Sequence, residues 1–287
     1  MAEGQAPLTP VELIRLTAEY FAKKGIDSPR LTAEVLLASV LSVTRLDLYL
    51  QYDKPLSSAE VDSFRALVRR RAAGEPTAYL LGKREFWSLD FAVGPGVLIP
   101  RPDTETLVES CLSIMGGEGR FLEIGVGSGA VSVALLKERP RWTAVGIDTE
   151  TAPLDCARKN AETHGVADRL DLRRGSLFSP VENETFDLIV SNPPYIPSGD
   201  IDSLAAEVSR FEPRKALDGG VDGLDLIREI ANKAPTRLKS KGALLLEFGT
   251  GQEEAVAGIL ESVPGLSGMR IISDYAKKPR VAAAIKI

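Results

Sequence analysis

The segment Asn192-Pro193-Pro194-Tyr195 sets an amide, two residues without backbone N–H groups and a phenol ring directly behind Phe186–Ser191, which reads as a central strand. Two consecutive prolines cannot donate hydrogen bonds, but they keep a stiff backbone with outward carbonyls. The Asn192 side-chain oxygen and the Pro193 carbonyl can therefore form a rigid pair of acceptors for one planar NH2 group, with Tyr195 stacked on the plane that carries it. An amide or exocyclic amine is a poor nucleophile because its lone pair is delocalised. Two fixed acceptors favour the return of electron density to nitrogen during attack, and they also aim it. Asn192, Pro193 and Tyr195 are the candidate catalytic residues, and Asn192 to Tyr195, Pro194 included, the candidate substrate grip. A turn with no further role is the competing reading of the same four residues.

A second constellation lies upstream. Glu123-Ile124-Gly125-Val126-Gly127-Ser128-Gly129 follows a strand candidate and leads into a helical stretch. Its glycines let a backbone approach a ligand closely. The G-x-G-x-G spacing differs by one position from the dinucleotide pattern G-x-G-x-x-G. Asp148, at the end of the next strand candidate, stands 19 residues after Gly129, close to the ~20 expected of a carboxylate that binds ribose hydroxyls. Packing of strand on helix could explain the glycines alone, and helix capping could explain Asp148.

The elements that would position these residues follow from periodicity. From Thr9 to about Arg71 the pattern is helical, with Pro10 placed for a helix first turn. Breaks at 25–29, 53–58 and 74–76 divide the region into several short helices. Between Arg84 and Pro100 the period switches to two, with Trp87, Leu89, Phe91 and Val93 on one face, and Gly94-Pro95-Gly96 then turns the chain, which predicts a hairpin-like connector. After Asp103, strand candidates at 121–124, 143–147, 170–172, 187–190 and 243–248 alternate with helical stretches, which predicts a doubly wound α/β fold with a parallel sheet. Candidates at 269–272 and 281–287 have no helix between them and predict an antiparallel edge hairpin.

Composition narrows the function. The 287 residues predict about two domains. With 35 Lys and Arg against 40 Asp and Glu, the net charge of −5 argues against a body that grips long nucleic acid through its phosphates. Cys111, Cys156 and the single His164 are too few for a structural zinc site and include no Cys-x-x-Cys pair. The two cysteines read as packing residues, His164 as a helix-end residue, and Arg69-Arg70-Arg71 as a solvated helix face or a contact for an acidic surface. Met1–Pro10 lacks the pattern of a secretory signal, and no apolar run is long enough to span a bilayer. The expectation is a soluble protein of a reducing cytoplasm.

These residues resemble the class I S-adenosylmethionine-dependent methyltransferases, in which Asn-Pro-Pro-Tyr marks enzymes that methylate planar NH2 groups. Gly74-Glu75-Pro76-Thr77-Ala78-Tyr79-Leu80-Leu81-Gly82, Glu85-Phe86-Trp87 and Leu98-Ile99-Pro100-Arg101-Pro102-Asp103-Thr104-Glu105 sharpen the resemblance to the PrmC/HemK family. So do Phe211-Glu212-Pro213, Ala216-Leu217 with Gly219-Gly220, and Leu245-Leu246-Glu247 with Gly249 and Gly251-Gln252. The resemblance implies a Rossmann-like seven-stranded methyltransferase domain behind a small all-helical N-terminal domain, with boundaries at 1–75 (helical, substrate recognition), 76–102 (hairpin connector) and 103–287 (catalytic). It implies S-adenosyl-L-methionine as cofactor, S-adenosyl-L-homocysteine as product and no metal. The implied substrate is the Gly-Gly-Gln glutamine of class 1 peptide chain release factors, methylated on its N5 side-chain amide in support of translation termination. No direct nucleic-acid or membrane partner is implied, and the protein is expected to be a monomer.

Carried over by motif, Gly125, Val126, Gly127, Ser128 and Gly129 would hold the methionine part of the cofactor. Asp148 would hold its ribose, Ser176 and Leu177 would lie at the adenine, and Asn192 would border the cofactor while gripping the glutamine with Pro193, Pro194 and Tyr195. Arg101 and Glu105 would shape the mouth of the site. A ribosomal-protein glutamine methyltransferase, an adenine-N6 DNA methyltransferase and a non-catalytic cofactor-binding adaptor remain the alternatives. Ser176 departs from the family, which often has an acid there, and this implies a weakened adenine contact. Ser176→Asp is therefore expected to lower the cofactor dissociation constant in a direct binding titration, and an unchanged constant would contradict the weakened contact.

Overall fold

The computed structural model describes residues 8–287; residues 1–7, most of the stretch read above for a secretory signal, lie outside the described residues. The described residues divide into two compact units, one formed by the stretch up to residue 82 with 206–211 and the other by 83–205 with 212–287.

The first unit is helical: α1 (Pro10–Lys23), α2 (Pro29–Leu41), α3 (Arg45–Leu50), α4 (Ser58–Ala72) and α5 (Thr77–Leu81). Thr9, Thr44 and Ser57 cap α1, α3 and α4, each paired reciprocally with an acid three residues on, so the free N–H groups of the first turns are satisfied. Phe21, Leu36, Leu37 and Phe64 fill the core. The unit extends to Gly82, so 77–81, read as the start of the connector, form its fifth helix. The arginine run is not simply a solvated face: Arg70 pairs with Glu75, and Arg71 is buried and pairs with Glu207 at 2.6 Å.

The second unit opens with the hairpin β1 (Lys83–Phe86) and β2 (Leu89–Ala92). Its turn is Trp87-Ser88 rather than Gly94-Pro95-Gly96. Both residues have positive φ, 52° and 55°, the conformation for which two-residue hairpin turns usually recruit Asn-Gly. Glu105 holds this turn by accepting from the Trp87 backbone N–H at 2.8 Å.

The seven-stranded sheet follows. It contains β3 (Gly119–Ile124), β4 (Trp142–Asp148), β5 (Leu170–Arg174), β6 (Phe186–Ser191), β7 (Leu238–Glu247), β8 (Leu266–Ser273) and β9 (Pro279–Lys286), interleaved with α6 (Glu105–Ile114), α7 (Ala130–Glu138), α8 (Thr151–Thr163), α10 (Asp225–Lys233) and α11 (Glu253–Ser262). The short α9 (Ala206–Ser209) belongs to the helical unit. Strand order is β5-β4-β3-β6-β7-β9-β8, parallel except that β9 runs antiparallel to both neighbours. The predicted hairpin is present, with β9 inserted beside β7 and β8 at the edge. Helices cover both faces: α6 and α7 pack on one core, α10 and α11 on the other. Because the chain winds outward from β3 through β4 to β5 and then returns to β6 on the other side, the crevice falls between the C-terminal ends of β3 and β6.

One buried side chain ties the hairpin to the glycine turn. Asn160 on α8 accepts from the Ala92 N–H at 2.7 Å and donates to the carbonyls of Ala92 and Ser128 at 3.0 and 2.8 Å. Asn160→Ala would strand those backbone groups and is expected to cost roughly 2–4 kcal/mol in denaturant unfolding; a loss within error of zero would contradict this role.

Candidate functional site

The crevice opens into a cleft walled by both motifs and by apolar side chains, the kind of concave, mostly apolar surface that small-molecule sites use. The glycine turn and the Asn-Pro-Pro-Tyr segment meet across it. Gly125 and Val126 donate their N–H groups to the Ile147 carbonyl at 2.8 and 2.9 Å, which locks the turn onto the end of β4. Gly127 has φ 55° and only the Gly125 carbonyl, at 4.0 Å, near where a Cβ would project, and its bare backbone lines the cleft. At Gly129, the first residue before α7, φ is 80° and a Cβ would come within 3.2 Å of the Ala157 backbone, so a side chain there would be strained and would crowd α8.

Asp148 closes the wall opposite. Its Oδ2 accepts from Gly127 N–H and its Oδ1 from Glu150 N–H, both at 3.1 Å. Burial raises its pKa, while the backbone donors pull the other way. The residue that caps α8 is Glu150, so Asp148 is not its N-cap. Ser176 and Leu177 line the same cleft, together with the apolar side chains of Leu226 and Ile230 on α10.

Past β6, Ser191 is buried and donates to the Ile124 carbonyl at 2.7 Å, clamping the ends of β3 and β6 together. Asn192 follows, and its Nδ2 donates to Thr104 Oγ1 at 3.0 Å. With one Nδ2 proton given to Thr104, the acceptor that Asn192 can offer the cleft is the carbonyl Oδ1. Pro193 and Pro194 line the wall beside it. The Tyr195 hydroxyl turns inward to Glu247 Oε1 at 3.3 Å, and burial pushes its pKa up. Gln252 fixes the segment from behind: its Nε2 donates to the Tyr195 carbonyl at 2.9 Å and its Oε1 accepts from Gly249 N–H at 2.8 Å.

Of the residues singled out by sequence, Gly125, Gly127, Asp148, Ser176, Leu177, Asn192, Pro193 and Pro194 lie together around the cleft. Val126, Ser128, Gly129 and Tyr195 are not in its wall. Val126 is packed against Leu154 and Ala157, and Ser128 and Gly129 carry the turn into α7. Arg101 pairs with the buried Glu212, which also accepts from Ile99 N–H at 3.1 Å. Glu105 serves the Trp87 turn, and His164 caps α8 with Nε2 2.9 Å from the Asp90 carbonyl. Cys111 is buried, and Cys156 donates to the Ala92 carbonyl at 3.0 Å. Sequence reasoning gave no role to Thr104, Glu247 or Gln252, although all three stand inside segments that carried the resemblance.

Two family models match the chain: one described as the PrmC N-terminal domain over residues 12–82, and one as the methyltransferase small domain over residues 102–210. The release factor glutamine methyltransferase of Geobacter sulfurreducens is 48% identical over 259 residues, 90% of each chain. The chain belongs to the release factor glutamine methyltransferase family. Another member, from Rhodopirellula baltica, is 38% identical over the whole of both chains. A solved methyltransferase from Pyrococcus furiosus is similar in fold, with a TM-score of 0.53 at 18% identity over 77% of this chain and 96% of that one. The seven-stranded sheet is thus the methyltransferase fold. Among the described residues no helix is long and apolar enough to cross a membrane.

Glu123 precedes the family's glycine turn and is fully buried, accepting from the Ser132 N–H at 2.9 Å and from the Ser132 hydroxyl. Burial pushes its pKa from 4.5 up to about 8, with Asp148 adding to the rise and the Ser132 donors opposing it. A raised carboxyl pKa means the fold binds the proton more tightly than the unfolded chain does. The associated stability is complete at acidic pH and is lost as pH rises towards 8. Glu123→Gln cannot titrate, so its melting temperature relative to the parent should climb between pH 5 and pH 9; a constant difference would contradict the buried-acid assignment.

Proposed function

We propose that this protein transfers the methyl group of S-adenosyl-L-methionine to the N5 amide nitrogen of the glutamine in the Gly-Gly-Gln loop of class 1 peptide chain release factors. The observation that carries this reading is the Asn192 amide at the sheet's switch point, with Nδ2 held by Thr104 and Oδ1 left to the cleft, in a chain that belongs to this family. A cytoplasmic setting follows from a substrate that works on the ribosome.

The residues present suit the cofactor. The bare backbone of Gly125 and Gly127 gives room for a methionine moiety, and the Asp148 carboxyl suits a pair of ribose hydroxyls. Leu177, Leu226 and Ile230 supply an apolar wall for a planar base. Ser176 offers a hydroxyl and its backbone where a carboxylate would have been a stronger partner.

When bound, the cofactor supplies an electrophilic methyl on a sulfonium, whose leaving group is a neutral thioether. The remaining work is alignment, and it falls to this chain. Asn192 Oδ1 and the Pro193 carbonyl accept the two N–H bonds of the glutamine amide, which opposes delocalisation of its lone pair and holds that lone pair in line with the methyl. The Pro193-Pro194 backbone keeps the two acceptors at fixed separation, and Gln252 braces the carbonyl of Tyr195. The surplus proton of the methylated amide leaves to solvent.

The test is transfer of labelled methyl to purified class 1 release factor, beside ribosomal protein and DNA, with the Gly-Gly-Gln glutamine changed to alanine as control. Label on the release factor that vanishes in the control is the expected result; label on ribosomal protein or DNA alone would overturn the substrate. Asn192→Ala should lower kcat on the order of 100-fold if its acceptor acts mainly in the transition state, and unchanged turnover would contradict that role.

A further inference from the structure

Glu247, the last residue of β7, is one of the most deeply buried carboxyls of the described structure, 1% exposed. Its Oε1 accepts from the Tyr195 hydroxyl, and its Oε2 is buried with no hydrogen-bond partner. The Thr104 hydroxyl lowers the affinity of this carboxyl for a proton, and its own proton is the donor that the unpartnered Oε2 can draw on. Thr104 is also the acceptor for Asn192 Nδ2. One carboxyl therefore stands behind both ends of the Asn-Pro-Pro-Tyr segment.

We propose that Glu247, acting through Thr104, is the positioning residue that fixes which end of the Asn192 amide faces the cleft. The inference rests on the methyl-transfer reading above and deepens it. A threonine hydroxyl carries one proton, and an ionised carboxylate can only accept. With Glu247 ionised, the Thr104 proton is drawn to the carboxylate, and the lone pair left on Oγ1 can only accept. The group it accepts from is the Asn192 NH2, so the carbonyl Oδ1 is turned to the cleft. A protonated or amidated Glu247 can donate to Thr104 instead. The hydroxyl is then free to donate to Oδ1, and the Asn192 amide can turn over and present NH2 to a substrate NH2, a pairing of two donors.

The surroundings put this switch within reach of ordinary pH. Burial pushes the Glu247 pKa from 4.5 up to about 7; the Thr104 and Tyr195 hydroxyls oppose the rise, Asp103 adds to it and Arg280 counters it. Arg280, on the adjacent β9, is itself paired with Asp103 at 2.6 Å and Asp274 at 3.3 Å, which limits how much charge it can lend Glu247. Asp103 and Thr104 come from the turn before α6, Tyr195 from the segment after β6, and Asp274 from the β8–β9 turn. The carboxylate form is needed for the productive direction, so kcat should fall as pH drops through 7.

The experiment measures kcat, KM for release factor and cofactor dissociation constant between pH 6 and pH 9 for the parent enzyme, Thr104→Val, Thr104→Ser and Glu247→Gln, with melting temperatures alongside. Thr104→Val should lower kcat about 10-fold or more while both binding constants stay within about threefold, and Thr104→Ser should restore kcat to within about threefold. Glu247→Gln should turn over slowly and lose the decline below pH 7, a readout that a role in folding alone would not move and that stands in should Thr104→Val fail to fold. Parent-like kcat in Thr104→Val, or an acidic limb that persists in Glu247→Gln, would overturn the inference while leaving the methyl-transfer reading intact. No transfer by the parent enzyme to release factor would overturn that reading and this inference with it.

Discussion

An asparagine side chain can be turned end for end with almost no change in shape, yet only one of its two orientations offers an acceptor. The hydrogen bond from Asn192 Nδ2 to Thr104 Oγ1 is the contact in which that choice is made, and the rest of the site is arranged around it. Thr104 is buried in a short turn at the head of α6. Asp103 beside it is paired to Arg280 of β9. Ser191 clamps the end of β6 to β3, so the amide on one strand and the glycine turn on the next keep a fixed distance. A grip on a planar amide demands this stiffness, because misplaced acceptors lose both aim and electronic effect.

Buried carboxyls at the C-terminal ends of the strands are the cost of this design. Glu123, Asp148 and Glu247 end or nearly end β3, β4 and β7, and burial raises the pKa of each. Each answers the burial with local donors: Ser132 for Glu123, the Gly127 and Glu150 backbone for Asp148, and the Tyr195 hydroxyl for Glu247. Strand ends in such sheets stand where ligands bind; Asp148 lines the cleft, while Glu123 and Glu247 are buried behind its wall. Their shifted protonation links the stability of the fold to the geometry of the site.

Much of this was legible in the sequence for a physical reason. Alternating strand and helix periods fix a parallel sheet, and the glycine turn and Asn-Pro-Pro-Tyr both follow strand candidates, so their convergence at the switch point could be expected. The Trp87-Ser88 turn was not legible, because neither residue is a usual choice for positive φ and the turn is held from outside by Glu105. The inward turn of the Tyr195 hydroxyl was equally hidden, since its partner Glu247 lies 52 residues away in sequence. Thr104 is 88 residues from Asn192. A motif names the residues that face a ligand, but the residues that aim them sit on other strands and carry no local signature. Val126 and Ser128 show the converse, since two of the five positions in the glycine turn face the core and hold its shape.

The most direct test of the account is a neutron-diffraction structure of the protein with S-adenosyl-L-homocysteine and a class 1 release factor, in which deuterium positions separate nitrogen from oxygen in the Asn192 amide. The account predicts Nδ2 donating to Thr104 Oγ1, the Thr104 hydroxyl directed at Glu247, and Oδ1 accepting from the amide of the Gly-Gly-Gln glutamine. An Asn192 amide with its NH2 towards the glutamine, or a glutamine bound away from Asn192 altogether, would contradict it.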